Sequence, residues 1–159
     1  MRKQFAEYLY QIMSEDDRLY LISADLGYKL WDRIRDIFPD RFLNCGASEM
    51  AGMNICVGLA LEGKIPIFYS ISSFAIYRPF ETIHNYLNGE QVPVKICMGG
   101  RDFDYKIDGP SHHSPDMKKI LDTLPNLVQF WPNETKDLYP TFTEFIYNKK
   151  PSVISLRKG

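Results

Sequence analysis

Apolar residues in this chain fall into short unbroken runs separated by amphipathic stretches. Residues 19–22, 41–44, 65–69, 94–98, 127–131 and 152–156 read as brief strands, and unbroken apolar runs of this kind are expected where both faces of a sheet are covered. Between them the spacing is helical. Phe5, Leu9, Ile12 and Met13 share one face over residues 4–13, and further helices are predicted over 30–37, 50–61, 117–124 and 137–147, with another carrying Phe80, Ile83, His84 and Leu87. Residues 70–73 read as a serine-rich turn and 99–115 as a long loop. Strand and helix alternating in this way predict an α/β fold, a doubly wound parallel sheet flanked by helices. No repeat, low-complexity tract or linker interrupts residues 1–159, so one domain is expected.

In such sheets, chemistry gathers at the carboxyl ends of the strands. That rule selects the segments 23–27, 44–49, 70–77 and 99–115, together with Arg157. The segment 44–49 leads into the most unusual stretch of the chain. Residues 50–61, MAGMNICVGLAL, are apolar on nearly every side, a pattern normally seen in a buried helix. Glu49 stands at its mouth. On residue chemistry alone it reads either as a first-turn glutamate that supports the helix or as a working carboxylate held in an apolar seam.

Composition narrows the classes. With 19 basic and 20 acidic residues the net charge is -1, and no basic stripe points to nucleic acid. No apolar run is long enough to cross a membrane, and the start, MRKQFAEYLYQ, lacks a signal-peptide core, so a cytoplasmic protein is expected. Cys45, Cys56 and Cys97 are odd in number, widely spaced and set among apolar neighbours, which reads as reduced, buried thiols and not as a disulfide frame or metal site. Asp108, His112 and Asp116 are of a type that could hold a divalent metal, but their loop has no known metal-ligand spacing, and no metal site is expected in this chain.

Four segments carry a family resemblance: SADLG at 23–27, NCGASEMAGMNICVGLALEGKIPI at 44–67, SSFAIYRPFETI at 72–83 and DGPSHHSPDM at 108–117. In order and spacing they resemble the pyrimidine-binding domain of the transketolase family of thiamine diphosphate enzymes, over essentially the whole chain. The resemblance implies that Glu49 matches the glutamate that hydrogen-bonds the aminopyrimidine ring and drives its tautomer change. Such a carboxyl must share a proton near neutral pH. Burial favours this and a helix N-terminus opposes it, so burial is expected to win once a partner surface covers the apolar helix.

The resemblance also makes Ile71, Phe74 and Tyr77 the walls of the pyrimidine pocket, with Phe74 the stacking partner, and places Asp25 beside the cofactor. Read without it, these are ordinary core or loop residues. It gives Asp108 and His112 contacts to substrate hydroxyls, with His112 also able to relay protons. His113 reads as a solvated neighbour. Arg2 and Arg157 match arginines that grip substrate phosphate, and Lys29 is expected near both; as residues alone, each could equally be solvated surface charge.

The family's Gly-Asp-Gly metal motif does not occur in this sequence. The implied arrangement is a split enzyme, with a separate diphosphate-binding subunit that holds Mg or Ca, and assembly as a heterotetramer with two of each chain. Thiamine diphosphate would be shared across the joint. The implied reaction is transfer of a two-carbon ketol unit between sugars or sugar phosphates. The alternatives are a 2-oxoacid-decarboxylating thiamine enzyme, of the deoxyxylulose phosphate synthase or pyruvate dehydrogenase beta type, and a non-catalytic assembly subunit. A flavodoxin-like response domain would need an acidic cluster at the first strand end, and only Asp25 is there.

Overall fold

The computed structural model describes residues 1–158. Six strands form one sheet: β1 (Leu19–Ser23), β2 (Phe42–Asn44), β3 (Ile65–Ile71), β4 (Lys95–Gly99), β5 (Val128–Phe130) and β6 (Ser152–Leu156), in the order β2-β1-β3-β4-β6-β5. Every pairing is parallel. The connecting helices are α1 (Arg2–Glu15), α2 (Asp32–Ile37), α3 (Glu49–Leu61), α4 (Ser72–Tyr77), α5 (Phe80–Thr82), α6 (Met117–Leu121) and α7 (Leu138–Tyr147). This is the expected doubly wound α/β architecture. The chain runs out from β1 to β2 and returns to β3 on the other side of β1, so the strand order reverses beside β1, where open parallel sheets form their crevice.

Side-chain alternation along each strand divides the apolar residues between two layers. Ile22, Phe68, Ile96, Met98 and Val153 pack on one side with Met53 and Cys56 of α3. Leu21, Ile67, Tyr69, Cys97, Ile154 and Leu156 pack on the other with Phe5, Leu9 and Met13 of α1 and with Phe142 and Phe145 of α7. The sheet is thus covered on both faces, which explains why its strands read as unbroken apolar runs.

Helix α3 is buried on one side only. Gly52, Met53, Cys56 and Val57 face the sheet, while Met50, Ile55 and Leu61 are 37%, 39% and 68% exposed. Gly52 sets the depth of that packing. A Cβ there would lie 2.7 Å from Cys45 Sγ and 2.8 Å from a Phe68 ring carbon.

Two expectations change. Residues 70–73 are not a turn, because β3 runs to Ile71 and α4 begins at the next residue. Serines favour turns by bonding their own backbone. Here the Ser72 and Ser73 hydroxyls donate instead to the carbonyl oxygens of Gly100 and Ser111, tying α4 to the long loop. That loop is itself ordered, with 3-10 turns at Lys106–Asp108 and Pro110–His112 and an antiparallel bridge between Asp102 and Ser114. Its root is held by buried Arg101, whose guanidinium donates to Ser155 Oγ and O, Pro132 O and Asn133 Oδ1.

At the opposite edge of the sheet, Lys95 is buried at the start of β4. Its ammonium donates to Asn148 O at 2.6 Å and Lys150 O at 2.7 Å. Burial pulls its pKa from 10.5 down to about 7.

Two measurements follow. Gly52→Ala should lower the unfolding free energy by about 1–3 kcal/mol through overpacking, read by urea denaturation. At Lys95 the folded chain gives up its proton near pH 7 and the unfolded chain near 10.5. Between these values unfolding takes up a proton, so stability rises with pH. The stability of the native sequence relative to Lys95→Met should therefore grow from pH 7 to pH 10, and a flat difference would count against the shift.

Candidate functional site

Glu49 is the first residue of α3, placed beside the crevice by the short loop that leaves β2. That loop is fixed by Asn44, whose Oδ1 accepts from the backbone N–H groups of Asp25 and Gly46. The Glu49 side chain turns inward and is 1% exposed. Its Oε1 accepts a hydrogen bond from Ser70 Oγ on β3 at 3.2 Å, and its Oε2 pairs with Arg78 Nη1 at 2.7 Å. β3 and the segment that follows it bury this carboxylate within the chain.

From Glu49 a row of planar groups runs along the carboxyl edge. The Arg78 guanidinium carbon lies 3.8 Å from the Phe74 ring centroid. Phe74 meets the His112 imidazole edge to face at 4.9 Å. His112 lies 6.1 Å from Tyr105, whose hydroxyl accepts from Arg2 Nη1 at 2.9 Å. Lys158 Nζ stands 4.5 Å over the same Tyr105 ring. Burial pushes the Tyr105 phenol up from its ordinary pKa, against the pull of Arg2. Glu49, Phe74, His112 and Arg2 are thus brought onto one edge from four distant parts of the sequence.

The expected pyrimidine wall is divided. Ile71 is buried and lines a cleft of about 750 Å³ together with Arg2, Lys29, Tyr69 and Tyr105. Phe74 is joined to Glu49 through Arg78. Tyr77 is 41% exposed and donates its hydroxyl to Asp116 Oδ1 at 2.7 Å. A three-residue period does not carry across this stretch because Ile71 ends a strand whereas Phe74 and Tyr77 belong to a helix. Burial and the bond to Asp116 push the Tyr77 phenol up to about 12.

Of the expected phosphate-gripping residues, Arg2 and Lys29 line the same cleft, but Arg157 does not. Arg157 Nη1 lies 3.5 Å from Asp104 and 3.6 Å from Asp102. Asp25 is exposed in a left-handed conformation with φ of 44° and borders a smaller hollow with Asn44 and Asp32. Asp108 is exposed on its 3-10 turn, one residue before Gly109. His112 Nδ1 is 3.0 Å from Ser111 Oγ. Among the described residues no three of His, Cys, Asp and Glu converge as metal ligands.

The sequence does not single out Arg78, Ser70 or Tyr105. Arg78 follows a hydrophobic helix and precedes a proline, a position at which a surface arginine is ordinary. Ser70 reads as part of a turn. Tyr105 was one aromatic in a loop, and only the fold sets it against Arg2.

Comparison with known proteins places this geometry. Residues 1–159 match the family described as transketolase, pyrimidine binding domain. A putative transketolase C-terminal section from Methanocaldococcus jannaschii is 31% identical over 158 residues, covering 95% of this chain and 50% of that protein. A 1-deoxy-D-xylulose-5-phosphate synthase from Geobacter metallireducens is 29% identical over 157 residues, covering 98% of this chain but 25% of the relative. Among solved structures, a split gene transketolase described as an inactive beta4 tetramer superposes with a TM-score of 0.86 at 25% identity, over 99% of this chain and 51% of that one. This chain therefore spans between a quarter and about half of the length of these proteins.

The bond from Ser73 Oγ to Ser111 O, 2.7 Å long, should control the order of the loop that bears His112. Ser73→Ala is expected to cost about 1 kcal/mol and to speed amide hydrogen exchange at residues 111–113. Unchanged exchange there would show that the tie does not order the loop.

Proposed function

The chain belongs to the transketolase pyrimidine-binding domain family, and from that premise we propose that it is the pyrimidine-binding subunit of a split, thiamine diphosphate-dependent, transketolase-like transferase. The observation that carries the proposal is the burial of Glu49 at the mouth of α3, where Arg78 links its carboxylate to the flat face of Phe74. When bound, thiamine diphosphate supplies a carbon nucleophile that adds to a carbonyl carbon. The residues here fit its pyrimidine half. The Glu49–Phe74 corner already accepts a flat nitrogen donor, the Arg78 guanidinium, by one hydrogen bond and one contact over the ring.

In this reading Glu49 holds and shares a proton with the ring nitrogen it faces, and Ser70 fixes the carboxyl orientation by donating to Oε1. Phe74 offers the stacking surface, with Ile71 in the adjoining cleft, while Tyr77 is turned to Asp116 and Asp25 borders the separate hollow beside Asn44. Asp108 and His112 bind sugar hydroxyls, with His112 able to relay protons. Arg2 and Lys29 attract a substrate phosphate into the cleft they share, and Arg157 joins them by exchanging its contacts to Asp102 and Asp104. The substrates are sugars or sugar phosphates, and the unit moved is a two-carbon ketol group.

The diphosphate and its Mg or Ca ion fall to a separate chain, in a heterotetramer with two copies of each. The exposed Met50, Ile55 and Leu61 on α3 support such a joint, as do relatives described as a C-terminal section and a split-gene enzyme. The three free thiols suit a cytoplasmic setting, and no helix among the described residues is long and apolar enough to cross a membrane. A second reading, 2-oxoacid decarboxylation, is favoured by the relative described as a 1-deoxy-D-xylulose-5-phosphate synthase.

In the complex with the diphosphate-binding chain, Glu49→Gln should lower kcat by about 10²-fold or more. Near-normal turnover would instead favour a non-catalytic assembly subunit. Release of carbon dioxide from pyruvate, without ketol transfer from ketose phosphates, would favour the second reading.

A further inference from the structure

Arg78 makes the two contacts that the proposed function asks of an aminopyrimidine ring. Its Nη1 donates to Glu49 Oε2 at 2.7 Å, and its guanidinium carbon lies 3.8 Å over the centre of Phe74. A guanidinium is flat, delocalised and rich in N–H donors, so it resembles an aminopyrimidine edge far more closely than an ammonium does. Two flat groups cannot occupy one ring face and one carboxylate oxygen together. Resting on the reading of this corner as the pyrimidine seat, we propose that Arg78 is a built-in placeholder: in the free chain its guanidinium fills the seat, and it swings out when the cofactor ring enters.

The arrangement suits both states. Glu49 is a buried carboxylate, and a buried charge deprived of its partner is strongly destabilising. Arg78 supplies that partner. Its own side chain is 45% exposed and follows the last residue of α4, so it reaches solvent by rotating its side chain, with no movement of the helix. Phe74 and Ser70 remain in place as it leaves. Ring binding is then weakened by the fraction of time that Arg78 occupies the seat, and removing Arg78 removes that penalty.

The test uses the full chain and 4-amino-2,5-dimethylpyrimidine, which needs no diphosphate site, with binding followed by NMR. Arg78→Met, which has similar length but no charge and no donor, should bind the pyrimidine at least about fivefold more tightly than the native sequence. In the native chain, adding the pyrimidine should move the Arg78 side-chain N–H signals from their ring-shifted position over Phe74 toward that of a solvated arginine. This second measurement decides the matter even if Arg78→Met does not fold. Equal or weaker binding by Arg78→Met, or Arg78 signals that stay in place while the ring binds, would overturn the placeholder and leave the pyrimidine seat standing. Failure of both proteins to bind the pyrimidine would overturn the seat and the placeholder together.

Discussion

A carboxylate placed inside a protein must be held by something, and in this fold the holding of Glu49 organises the whole carboxyl edge. Helix α3 can begin next to β3 only because Gly52 lets it settle onto Phe68 and Cys45. That approach carries Glu49 under the strand end, where Ser70 and Arg78 meet its two oxygens. Arg78 in turn lies on Phe74, and Phe74 on His112. The depth of one helix therefore reaches, through a few contacts, the loop with its candidate sugar-binding residues.

The two ends of the sheet deal with buried charge in different ways. At the carboxyl edge an acid is paired with an arginine whose outer half is wet, so the pair can open. At the amino edge, Lys95 sits in a cradle of carbonyl and hydroxyl oxygens that close the turn before β6. The first arrangement suits a site that must exchange partners, and the second suits a joint that stays shut. Arg101 is a third case, a guanidinium with its donors spent on fixed oxygens, and it acts as a structural tie.

Much of the fold was legible because strand and helix periods differ and both faces of this sheet are covered. The span of β6 came out as read, and α7 within one residue at its start. Residues 70–73 depart from the turn their composition predicts because serine content signals a turn only when the hydroxyls bond locally, and here those of Ser72 and Ser73 bond to a loop far along the chain. Glu49 could be singled out because an acid before an all-apolar helix is unusual. Its partner Arg78 could not, since nothing in YRPF distinguishes an inward-reaching arginine from a solvated one. The division of Ile71, Phe74 and Tyr77 was hidden for a related reason: the change from strand to helix between them alters which direction each side chain faces.

The staple made by Arg101 bears on how this protein could be changed. It fastens the root of the long loop to the ends of β5 and β6, and the Asp102–Ser114 bridge closes the loop near its base. Phe103, Lys106 and Ile107 lie beyond that clasp, all exposed and absent from both cores. Redesign of that strip, whether by drift or by an engineer choosing new ligand preferences, can proceed without repacking the sheet that supports it.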